Sequence, residues 1–175
     1  VCIVIKDLLD NGLSPADIGV ISPYRLQTSL IEAGCRRMYP ESVTDQLEIN
    51  SVDAFQGREK EVIILSLVRS NDEGTIGFLI EERRLNVAIT RSRSHLVVVC
   101  DSGTVTRNST ALEKFIDYCY EYGKAESASD YEELLDQIVM DQVPQAVSTN
   151  SQQAVDVKSN KNNKDLKKNL KSNRK

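Results

Sequence analysis

The chain has no GxxxxGK(S/T) phosphate loop, and no Asp-Glu pair follows a buried strand in the manner of a magnesium site. It is therefore not expected to hydrolyse a nucleoside triphosphate by itself. The single histidine, His95, has no Ser or Asp at a catalytic spacing and reads as structural. The four cysteines, Cys2, Cys35, Cys100 and Cys119, form no CxxC pair and complete no zinc set with that histidine. Scattered buried thiols in a reducing compartment are expected. No signal peptide and no run of about 18 apolar residues occurs, so the chain reads as soluble and intracellular, cytoplasmic and/or nuclear, with no membrane contact. It also lacks an initiator Met and opens inside a helical pattern, as expected of a piece of a longer protein.

At 175 residues and 40% hydrophobic content there is enough for one packed core, with length to spare. From Ser148 on no aromatic residue occurs, and Ser, Asn, Gln and Lys dominate, too polar to offset the entropy of ordering. A folded domain at 1–143 and a disordered tail at 144–175 are expected. Residues 158–175 hold eight basic residues against one acid, net +7, which leaves 14 basic and 25 acidic residues in 1–157, net −11. An acidic body excludes nonspecific wrapping of nucleic acid, so any strand contact is a local patch. The tail reads as a solvated extension, with a loose nucleic-acid arm or a localisation signal as alternatives.

Along the body, Ile5, Leu8 and Leu9 sit at helical spacing before an Asn11-Gly12 stop. A buried strand at 18–22 ends at Pro23, and an amphipathic helix at 25–38 follows, with Leu26, Leu30, Ile31 and Ala33 packing on the sheet. A short strand is expected at 48–50 and fully buried ones at 62–68 and 96–100, with a loop at 70–78 and a helix at 79–90 between them. Thr110 is the expected cap of a helix to Tyr122, and a further acidic helix is expected at 131–140. The tyrosines at 118, 120 and 122 are read as forming no stacking platform. Strands alternating with helices give an α/β fold with a mostly parallel sheet.

Two blocks stand out, Ser51–Glu59 (SVDAFQGRE) and Glu82–Arg93 (ERRLNVAITRSR), each running into a β-branched strand. This puts a Gln-Gly-Arg-Glu turn and several arginines near the strand ends of a parallel sheet, where such folds bind phosphorylated ligands. The blocks resemble motifs V and VI of superfamily 1 helicases, and Ile21–Gln27 (ISPYRLQ) resembles motif IV. The likeness is greatest to the branch of immunoglobulin mu-binding protein 2 and the nonsense-mediated-decay helicases, and spans roughly residues 3–122. It implies a RecA-like domain, the C-terminal half of a two-half motor whose absent N-terminal RecA-like half holds most of the ATP and Mg²⁺. It also implies 5′-to-3′ movement along single-stranded RNA or DNA.

By this resemblance Arg91 is the arginine finger that reaches a nucleotide across the cleft, where it would cancel charge spreading over the γ-phosphate. Arg84, seven residues earlier, falls on the same helix face by periodicity and takes a supporting role, either in the nucleotide site or by pairing with acids. An exposed basic face offset by Glu81 and Glu82 is the plain alternative. Gly57 allows close backbone approach, and Glu59 can accept from ribose hydroxyls or orient an arginine. The resemblance implies that Gln56, Gly57 and Glu59 contact the nucleotide. It puts Ser51 on the nucleic-acid side, where its hydroxyl would meet a strand phosphate; otherwise it caps the short helix after it. Tyr24 and Arg25 either support a base or phosphate or pack on the neighbouring helix.

The resulting expectation is the C-terminal motor half of an ATP-dependent RNA or DNA helicase or translocase. The alternative is a non-catalytic nucleic-acid-binding or regulatory module that kept the fold.

Overall fold

The opening helix α1, Cys2–Asp10, buries Ile3 and Ile5 and stops where the sequence says it should. The Asn11 side-chain amide donates back to the Asp7 carbonyl at 2.8 Å, and Gly12 takes φ +89°. The computed structural model describes residues 1–77 and 81–131, all within the compact unit Val1–Asp141. The expected tail, the expected helix beyond Tyr131 and the first residues of the helix expected from 79 lie outside the described residues.

Strand β1, Ile18–Ile21, leads through α2, Arg25–Met38, and the single-turn α3, Glu41–Thr44, to β2, Glu48–Asn50. Strand β3, Lys60–Ser66, leads through α4, Glu82–Ile89, to β4, Ser92–Val99. The short α5, Ser102–Val105, and α6, Thr110–Tyr122, follow. All strand pairs are parallel, in the order β2-β1-β3-β4. From β1 the chain steps one way to β2, and from β3 the other way to β4. Right-handed crossovers then place α2 and α4 on opposite faces. The core divides accordingly. Ile18, Val20 and Ile64 pack with Ile5, Ile31 and Cys35 on one face. Ile21, Ile63 and Leu65 pack with Phe55, Leu85, Ala88, Leu112 and Ile116 on the other. This is the expected RecA-like α/β arrangement. Among the described residues no helix is long and apolar enough to cross a membrane.

Phe55 crosses β1 at Gly19, where an added Cβ would lie 2.6 Å from Ile63 Cδ1 and 3.0 Å from Phe55 Cε1. Gly19→Ala is expected to cost about 1–3 kcal/mol by overpacking. A lower urea midpoint with an unchanged m-value would show it, and an unmoved midpoint would mean the ring gives way freely.

Several expectations need correcting. On α2 the buried stripe is Thr28, Ile31 and Cys35, while Leu26 and Leu30 are 73% and 60% exposed. The Thr28 hydroxyl donates to the Arg25 carbonyl at 2.7 Å, which lets a polar residue take a core place that hydropathy would have given to a leucine. Strand β3 starts and ends two residues early. Past it, Val68 has φ +68° and Arg69 N donates to the Leu67 carbonyl at 2.7 Å, a tight γ-turn. Strand β4 is half-buried, not fully buried, because among the described residues it pairs only with β3. The cap of α6 is Ser109, whose hydroxyl accepts from Leu112 N at 3.3 Å. Tyr118 and Tyr122, one helical turn apart, pack ring to ring with centroids 4.7 Å apart and planes tilted by 38°. Of the cysteines only Cys35 is fully buried. It lies beside Cys2, and that thiol hydrogen bond, with burial, pushes the Cys35 thiol up.

Candidate nucleotide and nucleic-acid site

In a parallel sheet all strands point one way, so residues that precede strands and residues that follow them collect at opposite edges. The Gln56–Glu59 turn precedes β3 and Arg91 precedes β4, which puts both at the amino edge. Tyr24, Arg25 and Ser51 follow β1 and β2 at the carboxyl edge. Seven residues of β3 separate the two edges, about 20 Å at the rise of a strand. The expectation that the turn and the arginines sit where parallel sheets usually bind phosphates is thereby corrected. That rule concerns carboxyl ends, and a block that runs into a strand lies at its amino end.

At the amino edge the turn is closed by Arg58 N donating to the Phe55 carbonyl at 3.0 Å, with Gly57 at φ +79°. No atom lies within 4 Å of where a Gly57 Cβ would be, so dihedral freedom and not space is what the glycine supplies. Lys60 N donates to the Arg91 carbonyl at 3.0 Å and stitches the two blocks together. The Arg91 guanidinium donates from Nε to the Val87 carbonyl at 2.9 Å, from Nη1 to the Arg58 carbonyl at 3.3 Å and from Nη2 to Thr90 Oγ1 at 2.9 Å. All three acceptors are neutral. Among the described residues no carboxylate pairs with Arg91.

Arg84 is placed differently. It donates from Nε and Nη2 to the two carboxylate oxygens of Asp53, each at 3.2 Å, and its Nη1 lies 3.2 Å from Glu81. Helix α4 ends at Ile89 and Thr90 is its cap, so Arg91 lies past the helix and the seven-residue face shared with Arg84 does not exist. Arg84 ties one block to the other through Asp53. Gln56 is exposed in the turn, and among the described residues its side chain makes no hydrogen bond.

Glu59 is exposed and held by Arg93, whose Nε and Nη2 both donate to Oε1, at 2.9 and 2.7 Å. Arg93 Nη1 donates to Glu61 Oε1 at 3.3 Å. These hydrogen bonds, to Glu59 first, raise the affinity of Arg93 for its proton further. Arg93 closes the second block, and the sequence assigns it no role. The signal that could have found it is the Glu59/Glu61 alternation facing an arginine on the partner strand.

At the carboxyl edge Ser22 N donates to the Asn50 carbonyl at 3.2 Å and brings Tyr24, Arg25 and Ser51 into one neighbourhood. The cap of the turn after β2 is Val52, so Ser51 does not cap it, and among the described residues its hydroxyl makes no hydrogen bond. Tyr24 packs on Arg69, a residue the sequence reading missed. Arg69 Nε donates to Tyr24 Oη at 2.8 Å, and the guanidinium carbon lies 5.1 Å from the ring centroid. The side chain of Arg25 is exposed. Gln27, which matched the motif without an assigned role, donates to Ser66 Oγ at 3.4 Å.

The loop carrying Arg69 is pinned. Asp101 accepts from Ser70 Oγ at 2.7 Å and Thr104 Oγ1 at 2.9 Å, which holds its carboxyl below the usual range. Asn71 bridges to Thr75, and Asn108 donates to the Gly74 carbonyl at 2.9 Å.

A family of AAA domains matches residues 1–103. The chain is 49% identical over 135 residues to the DNA-binding protein SMUBP-2 of Mus musculus, covering 77% of this chain and 13% of that protein. It is 49% identical over 117 residues to the DNA polymerase alpha-associated DNA helicase A of Schizosaccharomyces pombe, covering 67% of this chain and 17% of that one. It is 50% identical over 98 residues to a regulator of nonsense transcripts 1 homolog of Neurospora crassa, 55% of this chain and 9% of that one. Motifs IV, V and VI, the parallel sheet that carries them and these relatives agree: the chain belongs to the superfamily 1 helicases, in the AAA-domain branch of SMUBP-2 and the nonsense-transcript regulators, and carries part of their helicase domain.

Proposed function

We propose that the chain is the C-terminal motor half of an ATP-dependent RNA or DNA helicase or translocase, inactive without an ATP-binding N-terminal RecA-like half. The observation that supports this most directly is Arg91, a cation held by three neutral oxygens at a sheet edge and paired with no carboxylate among the described residues. A guanidinium fixed in that way is ready to meet negative charge brought by another body.

ATP, when bound, supplies the phosphoryl group whose transfer to water drives the cycle. The residues here fit an edge-on contact with it. Arg91 would offset charge on the γ-phosphate oxygens, and Glu59, next to the Arg58 carbonyl that Arg91 holds, would offer its Oε2 to a ribose hydroxyl. The amino-edge turn, with Gln56 and Gly57, lets backbone approach. Arg84 keeps the two blocks in register. Mg²⁺ would be held mainly by the other half, as the family resemblance implies. On the far edge Ser51, Tyr24 and Arg25 would hold the backbone of a single strand, contacts that set position without reading sequence. Closure of the two halves on the nucleotide, and opening after hydrolysis, would then shift this edge along the strand.

The test is nucleic-acid-stimulated ATPase of the complete gene product beside this chain alone. Turnover by the first and none by the second is expected. Turnover by the chain alone, or none by a well-folded whole, would overturn the reading, and the latter would favour a non-catalytic module.

A further inference from the structure

We propose that Arg93 is a positioning residue that holds Glu59 so that one carboxylate oxygen is reserved for the 2′-hydroxyl of the nucleotide's ribose. Arg93 thereby contributes to discrimination between ribo- and deoxyribonucleoside triphosphates. The inference rests on the motor reading above and adds to it a residue and a specificity.

The argument is geometric. Two of the Arg93 nitrogens converge on a single oxygen, Glu59 Oε1. A bidentate pair would engage both oxygens; here Oε2 receives nothing from Arg93 and remains able to accept. The guanidinium is held from its other side. Its Nη1 donates to Glu61 Oε1, while Ser94 Oγ donates to Glu61 Oε2 at 3.2 Å and to the Glu61 carbonyl at 2.9 Å. Ser94, Glu61, Arg93 and Glu59 thus form a relay across the start of β3 and β4 that ends in one aimed carboxylate. Left alone, Glu59 follows a glycine turn on an exposed edge and would sample several rotamers.

As a surface ion pair this contact contributes little to stability. A purely structural role therefore predicts that removing it changes almost nothing. A role in holding Glu59 predicts a change in nucleotide affinity confined to nucleotides that carry the hydroxyl. Lysine at this position keeps the charge and loses the planar fork, so it should restore the effect only in part.

The experiment is steady-state ATPase of the complete gene product with ATP and with dATP, for the wild type, Arg93→Ala, Arg93→Lys, Glu59→Gln and the double variant. The wild type should favour ATP. Arg93→Ala should raise KM for ATP about tenfold, the size of one hydrogen bond to a charged group, lower kcat less than about twofold and leave KM for dATP nearly unmoved. The ATP/dATP preference would shrink toward one. Arg93→Lys should fall between, and the double variant should be no worse than Glu59→Gln, since both act through one carboxylate.

A preference unchanged in Arg93→Ala while Glu59→Gln abolishes it would overturn the positioning role and leave the motor reading intact. So would a fall in kcat at constant KM, which belongs to a group acting on the transition state. A wild type that treats ATP and dATP alike would overturn the specificity. A complete protein with no turnover removes the motor reading and this inference with it.

Discussion

Arg91→Ala in the complete gene product is expected to lower kcat for nucleic-acid-stimulated ATP hydrolysis by about 10³-fold or more, the lower bound for an arginine finger in nucleotide switches. The guanidinium is held at the amino edge by the Val87 and Arg58 carbonyls and by Thr90. Its removal deletes those three bonds, two of them exposed so that water can take the donor's place, and the domain should remain folded. The loss falls on the transition state because charge on the transferring phosphoryl group is spread most widely there. Strand affinity should change little, since Ser51, Tyr24 and Arg25 are a strand's length away. Arg91→Lys should recover only part of the rate, because an ammonium cannot keep the Val87 and Arg58 contacts and also present a second face. Near-wild-type kcat in Arg91→Ala would remove this residue from the finger role.

Phe55→Ala should destabilise the chain itself by about 3–5 kcal/mol, the cost of emptying a buried aromatic site. The ring is 0% exposed, packs in the cluster with Ile63, Leu65 and Leu85, and covers β1 at Gly19. It is also the last residue of the 3₁₀ turn Asp53–Phe55, directly before Gln56. Losing it removes core volume and the anchor of the nucleotide turn together. The urea midpoint of the 175-residue chain measures this directly, and in a thermal melt the fall should be roughly 10 °C or more. Phe55→Leu keeps most of the volume and should cost less than about 1.5 kcal/mol. If Phe55→Ala shifted the midpoint no more than Phe55→Leu, the ring would not be the keystone its burial indicates.

The strands and helices of this domain could be read from the sequence because their signals are local. Pro23 limits β1, the spacing of Ile31 and Cys35 makes α2 helical, and Ser109 starts α6 one residue from the expected cap. Burial was harder to read, because it depends on which face meets which neighbour. Periodicity fits a stripe through Leu26 and Leu30 as well as one through Thr28 and Ile31, and only the sheet decides. Strand β4 has the composition of a central strand and stands, among the described residues, at an edge. The candidate site divides the same way. Motif order gave Arg91 and Glu59, while Arg93, Arg69 and the Asp53–Arg84 tie depend on pairs more than 30 positions apart. No local pattern carries those.

The tight turn at Val68 has a mechanical consequence. A β-branched residue, 43% exposed, is kept at φ +68° where β3 ends, a conformation that costs of order 1–3 kcal/mol and persists only while its surroundings enforce it. Those surroundings are the Arg69–Tyr24 contact on one side and the Asp101, Asn71 and Asn108 bonds on the other. The end of β3 therefore acts as a cocked spring with two latches. Whatever draws Arg69 off the tyrosine ring works with the backbone and not against it.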